Sequence, residues 1–410
     1  MTSRRQFLRA AAVAGTAGVA GCAVLVPQDE SVPVDGEPAV EATAQFRGGL
    51  RRRGAATDRT VPDAVTVDWR LPGINTGEHT AAKASAVPTP DGDVVVPGDT
   101  GEIRRVAPDG TVLWQAAVEP ARRGIHGTPA IANGAVYIGA YDGALYAFDL
   151  ETGERYWRTK LGDAIGSSPG YRDGTVYIAV EYDDPSGAMF AVDAVTGDVV
   201  WEDPRPTDQP HSTCAIDRET DRLVVGSNDG TLYGWSYPDL DFRWSFPTGA
   251  PIKGPIAVDD GHAVFGSWSD RVYSVDLIDG SETWSIRTGG DVMSGAAIAD
   301  GTVYIGCHDS LLYALDVADG TERWTFDTGG KIVGCPTVTA DAVLVGSYDR
   351  RLYAIERASG RERWRVPASG WVTCEPLVTG DAVYATCRAS NAYLEDGDGP
   401  TGTLYRIVAA

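Results

Sequence analysis

Six residues have side chains suited to ligand chemistry, and each stands just before a short run of β-forming residues. They are Lys83, His126, His211, Lys253, Lys331 and Trp371. The chain has only four lysines, and three of them belong to this group. One interpretation is a site that binds an anionic ligand or a carboxylate-rich segment, with Trp371 as a stacking surface. The other is a set of solvated loop residues whose histidines bond to nearby backbone.

The histidines of this group lack the close spacing that is typical of metal ligands. The sequence therefore predicts no metal site. An acidic loop at 391–401 could hold calcium through its clustered carboxylates, but it lacks the spacing of a known calcium-binding loop. An acidic surface loop is the favoured interpretation of this segment.

The elements that must position these residues repeat along the chain, and a tryptophan marks each repeat. Successive copies lie 40 to 45 residues apart, a period typical of β-propeller blades. We expect these tryptophans to pack the blades. They are Trp69, Trp114, Trp157, Trp201, Trp244, Trp284, Trp324 and Trp364.

Each repeat contains the signals of four short antiparallel strands. In the copy from Thr128 to Trp157, the pairs Asn133-Gly134 and Asp142-Gly143 separate β-rich runs, as expected for tight hairpins. The third strand of this copy, residues 145–149, reads Leu-Tyr-Ala-Phe-Asp. Five further copies also place a small residue after the aromatic one, which leaves space for the tryptophan to pack.

The strand count predicts how the propeller closes. Strand triplets begin near residues 84, 128, 168, 214, 255, 295, 335 and 374, which gives eight blades. The last triplet has no tryptophan strand after it, whereas the strand at 65–69 has no triplet before it. We therefore predict an all-β, eight-bladed propeller of four-stranded antiparallel blades, in which the strand around Trp69 completes the last blade.

The repeat resembles the quinoprotein-type (PQQ-like) repeat, L-Y-A-x-D-x-x-T-G-x-x-x-W. The best copies run from Leu145 to Trp157 and from Leu312 to Trp324, and the resemblance covers residues 61–410. That family includes the pyrroloquinoline quinone (PQQ) dehydrogenases and lipid-anchored scaffold propellers of the outer-membrane assembly lipoprotein type. The resemblance implies the fold strongly and the activity weakly, because the repeated residues hold blades together.

For an enzyme, the resemblance implies two adjacent cysteines bridged over the quinone, and a calcium ion held by carboxylates and an amide. This chain has no adjacent cysteines, and no local motif for the calcium ligands is recognisable. Cys335 and Cys374 are the best candidates for a disulfide, but small buried thiols are the favoured interpretation. The cysteines after the signal are Cys214, Cys307, Cys335, Cys374 and Cys387.

The N-terminus has the layout of an export signal. Arg4 and Arg5 resemble the twin-arginine motif, and the residues before Cys22 resemble a lipobox, which implies lipid attachment to this cysteine. We expect a signal peptide at 1–22, a flexible tether at 23–60 and the propeller at 61–410.

The charge balance excludes one class of partner. Acidic residues outnumber basic ones 57 to 35, and the net charge is −22, so a nucleic-acid-binding role is not expected. The acids occur in nearly every loop and lysine is rare. We therefore favour adaptation to high salt over a single patch for a basic partner.

Together these observations predict an exported, lipid-anchored propeller that binds a protein partner at the cell surface without catalysis. One alternative is a PQQ-dependent alcohol or sugar dehydrogenase, with PQQ and calcium at the channel mouth and Lys83, Lys253 and Lys331 neutralising the quinone carboxylates. Another alternative is a small-ligand receptor or sensor that uses the same mouth.

Overall fold

A computed structural model describes residues 29–77, 84–120, 123–389 and 402–410. The twin-arginine pair Arg4 and Arg5, the lipobox residue Cys22 and the candidate ligand residue Lys83 lie outside the described residues. The acidic loop at 391–401 lies outside them as well.

The described residues form short antiparallel strands joined by tight turns. Asn133 and Gly134 both have positive φ, as the predicted hairpin requires. Two strands precede the first blade: β1 (Ala55–Ala56) and β2 (Val65–Pro72). A 3₁₀ turn, Phe46–Gly48, lies before them.

The first four blades follow in chain order, each a sheet of four strands. Blade 1 contains β3 (Val87–Pro88), β4 (Val94–Pro97), β5 (Glu102–Val106) and β6 (Val112–Ala117). Blade 2 contains β7 (Ala130–Ala132), β8 (Ala135–Gly139), β9 (Ala144–Asp149) and β10 (Arg155–Lys160). Blade 3 contains β11 (Gly170–Arg172), β12 (Thr175–Glu181), β13 (Gly187–Asp193) and β14 (Val199–Asp203). Blade 4 contains β15 (Ala215–Asp217), β16 (Arg222–Gly226), β17 (Thr231–Ser236) and β18 (Phe242–Pro247).

The next three blades repeat this order. Blade 5 contains β19 (Ala257–Asp259), β20 (His262–Ser267), β21 (Arg271–Asp276) and β22 (Glu282–Arg287). Blade 6 contains β23 (Ala297–Ala299), β24 (Thr302–Gly306), β25 (Leu311–Asp316) and β26 (Glu322–Asp327). Blade 7 contains β27 (Thr337–Thr339), β28 (Ala342–Ser347), β29 (Arg351–Glu356) and β30 (Glu362–Pro367), and β1 adds to it in parallel beside β27.

Blade 8 joins the two ends of the chain. It contains β31 (Trp371–Val372), β32 (Leu377–Val378), β33 (Val383–Arg388) and β34 (Thr403–Ala409). The N-terminal strand β2 pairs antiparallel with β34, from Val65 opposite Ala409 to Pro72 opposite Thr403. The prediction of eight blades closed by the N-terminal strand is confirmed.

The repeated tryptophans pack within and between blades. In six blades the tryptophan is opposite the small residue of the third strand, as Trp157 is opposite Ala147. In seven cases the indole Nε1 donates to a backbone carbonyl of the neighbouring blade, as Trp157 does to Ala194. Trp201 differs, because its ring packs edge-on against Trp235 with centroids 6.1 Å apart. Each tryptophan thus connects its own sheet to the sheet of the neighbouring blade.

The structure corrects the expected tether at 23–60, of which residues 29–60 are described. The segment 43–59, here called the strap, bonds to the innermost strands of blades 2 to 7 in order. Its backbone bonds with these strands measure 2.7 to 3.4 Å, and their partners are Ile131, Ile216, Val258, Ile298, Val338 and Ala340. In blade 3 the bond runs from the backbone of Tyr171 to the side chain of Gln45. Residues 29–60 form part of the propeller because the strap satisfies inner-strand groups that would otherwise lack partners.

Two buried arginines fix the strap in place. The guanidinium of Arg52 donates to the carbonyl oxygens of Phe46, Pro169 and Cys214 at 2.8 to 3.1 Å. Arg47 donates from Nε to the carbonyl of Arg52 and lies 3.4 Å from the carboxylate of Glu375. The strap therefore encircles one end of the central channel, here called the lower end, and lines a cavity of about 930 Å³ there. In the described residues, no helix has the length and apolar character needed to cross a membrane.

Candidate functional site

The open end of the channel, here called the upper mouth, lies opposite the strap. The strap bonds to the middle residues of the innermost strands and lines one cavity, whereas the segments that lead into these strands line a second cavity. The turns between the second and third strands of each blade end at the same place. Five of the six candidate ligand residues belong to described parts of those leading segments.

One residue of each blade lies at the upper mouth, and together these eight residues surround it. In the second strand of most blades a paired glycine lies near the end, and the residue in question is two positions after this glycine or after its equivalent. In six successive blades the backbone N–H of this residue donates to the segment leading into the first strand, at 2.8 to 3.0 Å. This repeated bond shows that the positions correspond. We call the set the mouth ring: Asp99, Tyr141, Glu181, Asn228, Trp268, His308, Tyr348 and Arg388.

The structure brings together three of the predicted ligand residues. His126, His211 and Lys253 line one small cavity of about 20 Å³ inside the channel, together with Thr373 and Glu375. These three residues occupy the same repeat position in blades 2, 4 and 5, each four residues before the innermost strand. A space of this size holds about one water molecule.

Lys331 and Trp371 lie two residues earlier in their repeats, on the rim of the mouth. Lys331 is exposed, and its carbonyl accepts the backbone N–H of Tyr348. Trp371 is stacked by the ring of Tyr348, with centroids 4.3 Å apart and planes 6° apart. The guanidinium of Arg388 lies 5.7 Å from the same indole. The chain's own side chains therefore already contact the aromatic surface of Trp371.

An acid that the sequence analysis did not single out holds His211. Oε1 of Glu181 lies 2.8 Å from Nδ1 of His211, and both side chains are almost fully buried. Burial alone would raise the pKa of Glu181, but the charge and hydrogen bond of His211 lower it, as do the Gly166 N–H and Arg123. Beside this pair, the rings of His126 and Tyr141 pack with centroids 4.3 Å apart.

Lys253 packs against an aromatic ring. Its Nζ lies 4.1 Å from the centroid of Trp268, an arrangement in which a cation is attracted to the ring face. Burial lowers the pKa of Lys253, while Glu181 and Asp208 act in the opposite direction. The amine of Lys253 thus lies near carboxylates of opposite charge at the mouth.

A chain of hydrogen bonds around the channel lies below these residues. In each of blades 8, 1, 2 and 3, one backbone N–H donates to the hydroxyl group of a serine or threonine in the following blade, at 2.8 to 3.0 Å. The bonds run from Glu375 to Ser85, then to Thr128, Ser168 and Thr213. The carboxyl group of Glu375 meets the strap at Arg47. Burial raises the pKa of Glu375 to about 7, although Arg47 opposes this shift.

The described residues do not fit the quinone and calcium arrangement of the enzymes. All five described cysteines are buried, and none of them forms a disulfide. Among the described residues, no group of three or more His, Cys, Asp or Glu side chains is placed to hold a metal ion. The small cavity beside His126, His211 and Lys253 is too narrow for a tricyclic quinone, whereas the cavity of about 930 Å³ at the lower end is lined by the strap.

Sequence reasoning missed Glu181, Tyr348, Glu375, Arg388 and the strap residue Arg47. One signal was available for the mouth ring. In five blades the second strand ends in glycine followed by a small residue, and the next residue changes from blade to blade. The site thus lies where an otherwise regular repeat becomes irregular.

Comparison with known proteins agrees with this architecture. The family described as "Outer membrane protein assembly factor BamB" matches residues 99–251, 241–334 and 308–406. The curated assembly factor BamB of Bordetella pertussis is 29% identical over 159 residues, 38% of this chain and 36% of that protein. BamB of Escherichia coli is 27% identical over 203 residues, 47% of this chain and 49% of that protein. The matches thus span less than two thirds of the length of these relatives.

Dehydrogenases are also similar. A 1-butanol dehydrogenase (cytochrome c) of Thauera butanivorans is 25% identical over 151 residues, 32% of this chain and 21% of that protein. The solved quinohemoprotein alcohol dehydrogenase of Comamonas testosteroni has a TM-score of 0.74 at 15% identity, covering 89% of this chain and 80% of that one. BamB of Moraxella catarrhalis gives 0.61 at 16% identity, covering 83% of this chain and 97% of that one.

At such low identity the solved structures show the fold alone, which both kinds of protein share. The family match extends over most of the eight blades and includes residues of the mouth ring from Asp99 to Arg388. The chain therefore belongs to the PQQ-like propeller family described as outer membrane protein assembly factor BamB.

Proposed function

We propose that the protein is a non-catalytic scaffold that holds a partner protein at the upper mouth of the propeller, outside the cytoplasm. The observation that carries this proposal is the mouth ring. Its eight positions correspond in the fold, yet they carry two carboxylates, an arginine, a histidine, an amide and three aromatic rings.

A position that only holds blades together is expected to repeat, as the tryptophans and the small residues opposite them do. The mouth ring does not repeat, although its backbone bonds are the same from blade to blade. A ring of different side chains around one opening presents an asymmetric surface. Such a surface is suited to a specific partner, because aromatic and arginine side chains carry much of the binding energy in protein interfaces.

The lower end is less suited to this role because the strap encircles it. The strap residues between Thr43 and Arg59 occupy backbone groups of the inner strands that a partner would otherwise bind. The relatives named assembly factors also support a scaffold. The upper mouth is therefore the contact surface that we propose.

Lipid attachment at Cys22, after export through the Arg4-Arg5 signal, would hold this scaffold close to a membrane. The described chain is already bonded to the propeller at Glu30, whose N–H donates to Tyr156, and at Val32, whose N–H donates to Val195. Six residues lie between Cys22 and Asp29, and the seven extended steps from one to the other span at most about 25 Å. The parts of blades 2 and 3 around Tyr156 and Val195 would thus lie near the lipid anchor.

Site-specific photocrosslinking in cells tests the scaffold role. A benzoylphenylalanine placed at Trp268 or Tyr348 should give one discrete adduct, and Arg388→Gln should reduce it. The control position is Leu113, which is 50% exposed on an outermost strand. Equal adducts from Leu113, or no adduct from either mouth position, would show that the mouth is not the contact surface.

A quinone-dependent dehydrogenase is the second candidate, favoured by the likeness to the Comamonas and Thauera enzymes. PQQ and calcium titration of the full chain, followed by quinone absorbance and dye-linked alcohol oxidation, tests it. Saturable binding with turnover, lost in Lys253→Ala and Lys331→Ala, would replace the scaffold with an enzyme. Absence of turnover leaves the scaffold.

A further inference from the structure

Blade 8 meets blade 1 at the upper mouth, and four residues form a polar seam there: Asn75, Gly77, Asp99 and Arg388. The N–H of Gly77 donates to Oδ1 of Asp99 at 2.8 Å, and the N–H of Asp99 donates to Oδ1 of Asn75 at 3.2 Å. Nη2 of Arg388 donates to the Gly77 carbonyl at 3.4 Å. Asp99 and Arg388 are neighbouring members of the mouth ring.

Several polar atoms at this seam are buried without a partner. Asn75, Asp99 and Arg388 are 0%, 2% and 1% exposed. Within the described part of the chain, no hydrogen-bond partner reaches Nδ2 of Asn75, Oδ2 of Asp99, or Nε and Nη1 of Arg388. No acidic oxygen of the described residues lies within ion-pair distance of Arg388 (4.0 Å).

Two other buried arginines, Arg52 and Arg105, use more of their donors. Arg52 donates to three carbonyl oxygens, and Arg105 bonds to Asp93 and to the Leu150 carbonyl. Arginine keeps its charge in proteins, and a buried charge without partners is costly by several kcal/mol. Arg388 is thus a buried cation whose Nε and Nη1 donate no hydrogen bond within the described part of the chain.

We propose that this seam is a subsite for a carboxylate group that a protein partner inserts into the upper mouth. Arg388 supplies the charge and Nδ2 of Asn75 supplies a second donor. Trp371, itself stacked by Tyr348, supports the guanidinium from one side. The inference rests on the proposed scaffold function and adds the chemistry of the partner, which is an acidic side chain or a chain terminus.

Asp99 makes the subsite dependent on pH. Burial raises the pKa of Asp99, while the Gly77 N–H and the charge of Arg388 lower it. A neutral Asp99 donates from its carboxyl group to the incoming carboxylate, whereas an ionised Asp99 repels it. Tyr348 is the other titratable group near Arg388, and burial raises its pKa above its ordinary value.

Sodium acetate is the probe, because it binds without any protein partner. The ¹⁵Nε resonance of Arg388 in the full chain, assigned with Arg388→Lys, should shift saturably with acetate at constant ionic strength. Asn75→Asp keeps the acceptor for the Asp99 N–H but adds a negative charge, so it should weaken acetate binding at least tenfold. Asp99→Asn should bind acetate at least as tightly as the wild type, without the pH dependence.

The outcomes separate the subsite from the scaffold. No saturable shift, or an unchanged affinity in Asn75→Asp, overturns the proposal. An equal shift with chloride replacing acetate would identify a halide site and overturn the carboxylate assignment. The exposed Arg365→Gln serves as the control and should change nothing. Acetate binding without a photocrosslinked partner would leave the subsite standing and refute the scaffold.

Discussion

Nε of Arg52 donates to the carbonyl oxygen of Cys214 at 3.0 Å, so a residue near the N-terminus is bonded to blade 4. The same guanidinium bonds to Pro169 at the start of blade 3 and to Phe46 within the strap. One side chain thus ties the strap to two neighbouring blades. This arrangement leads to the first prediction.

Arg52→Met should lower the free energy of unfolding by about 3 kcal/mol, because three buried carbonyl oxygens lose their donors. Arg53→Met is the matched control. Arg53 is 45% exposed and pairs with Asp259, and an exposed ion pair is worth about 0.5 kcal/mol. Guanidinium chloride unfolding of both variants checks this. Equal losses would show that the buried arginine does not hold the strap.

In five blades, a glycine determines how closely the preceding blade can approach. Gly320 has φ of +74°, and a Cβ there would lie 2.7 Å from the ring of Trp284 in the preceding blade. Gly301 has φ of +70° and no atom within 4 Å of the same point. Gly301→Ala should therefore cost about 1 kcal/mol through backbone strain alone. Gly320→Ala should cost about 2 kcal/mol more through overpacking.

Thermal unfolding of the two alanine variants measures this difference. A melting temperature that falls equally in both would mean that the contact between Gly320 and Trp284 is not a close joint between blades. The same glycine–tryptophan contact recurs at Gly153, Gly197, Gly280 and Gly360.

Glu375 should make the stability of the fold depend on pH. Burial raises the pKa of Glu375 to about 7 from an ordinary value near 4.5. A raised carboxyl pKa means that the folded state binds the proton more tightly. This contribution to stability is complete below pH 4.5 and is lost as pH rises to about 7. The difference corresponds to about 3 kcal/mol.

Glu375→Gln removes this dependence while keeping the size of the side chain. Urea unfolding at pH 5 and pH 8 should show a larger loss of stability on raising the pH in the wild type than in the variant. If both proteins respond to pH alike, Glu375 does not titrate as the structure indicates, and the contact with Arg47 governs its charge.

The outermost strand β14 carries exposed aliphatic residues at positions where β26 carries charged residues. Val199 and Val200 in β14 are 45% and 59% exposed, whereas Glu322 and Arg323 occupy the equivalent positions in β26. Exposed apolar edge strands promote association between chains. Val200→Arg should reduce self-association in light scattering and leave the unfolding free energy within about 0.5 kcal/mol. Unchanged scattering would exclude this edge as a contact between copies.

The propeller could be predicted from the sequence because its fold follows from local signals that repeat. The Asn133-Gly134 turn, the small residue opposite Trp157 and the unpaired strand around Trp69 each imply a definite structure. The strap could not be predicted in this way. Residues 43–59 have no period of their own, and their order comes from backbone groups of the inner strands.

The candidate site was predicted only in part. His126, His211 and Lys253 come together as one set because they share a repeat position. Glu181 and Arg388 were missed because each is the last residue of a strand, and their importance comes from burial and contacts that the strand sequence does not reveal. Arg388 differs from Arg52 and Arg105 because its Nε and Nη1 have no hydrogen-bond partner among the described residues, a property of the folded arrangement.

The pairing of β2 with β34 and the path of the strap have a consequence for biosynthesis. Residues 65–72 obtain their partner only when residues 403–409 have been made, and each strap residue must wait for a blade made later. A nascent chain therefore leaves its first strand unpaired until residues 403–409 have been made. Contacts of such long sequence separation also form slowly. Closure of the propeller is thus a late step of synthesis, and removal of either β2 or β34 should leave an edge of the other strand unpaired.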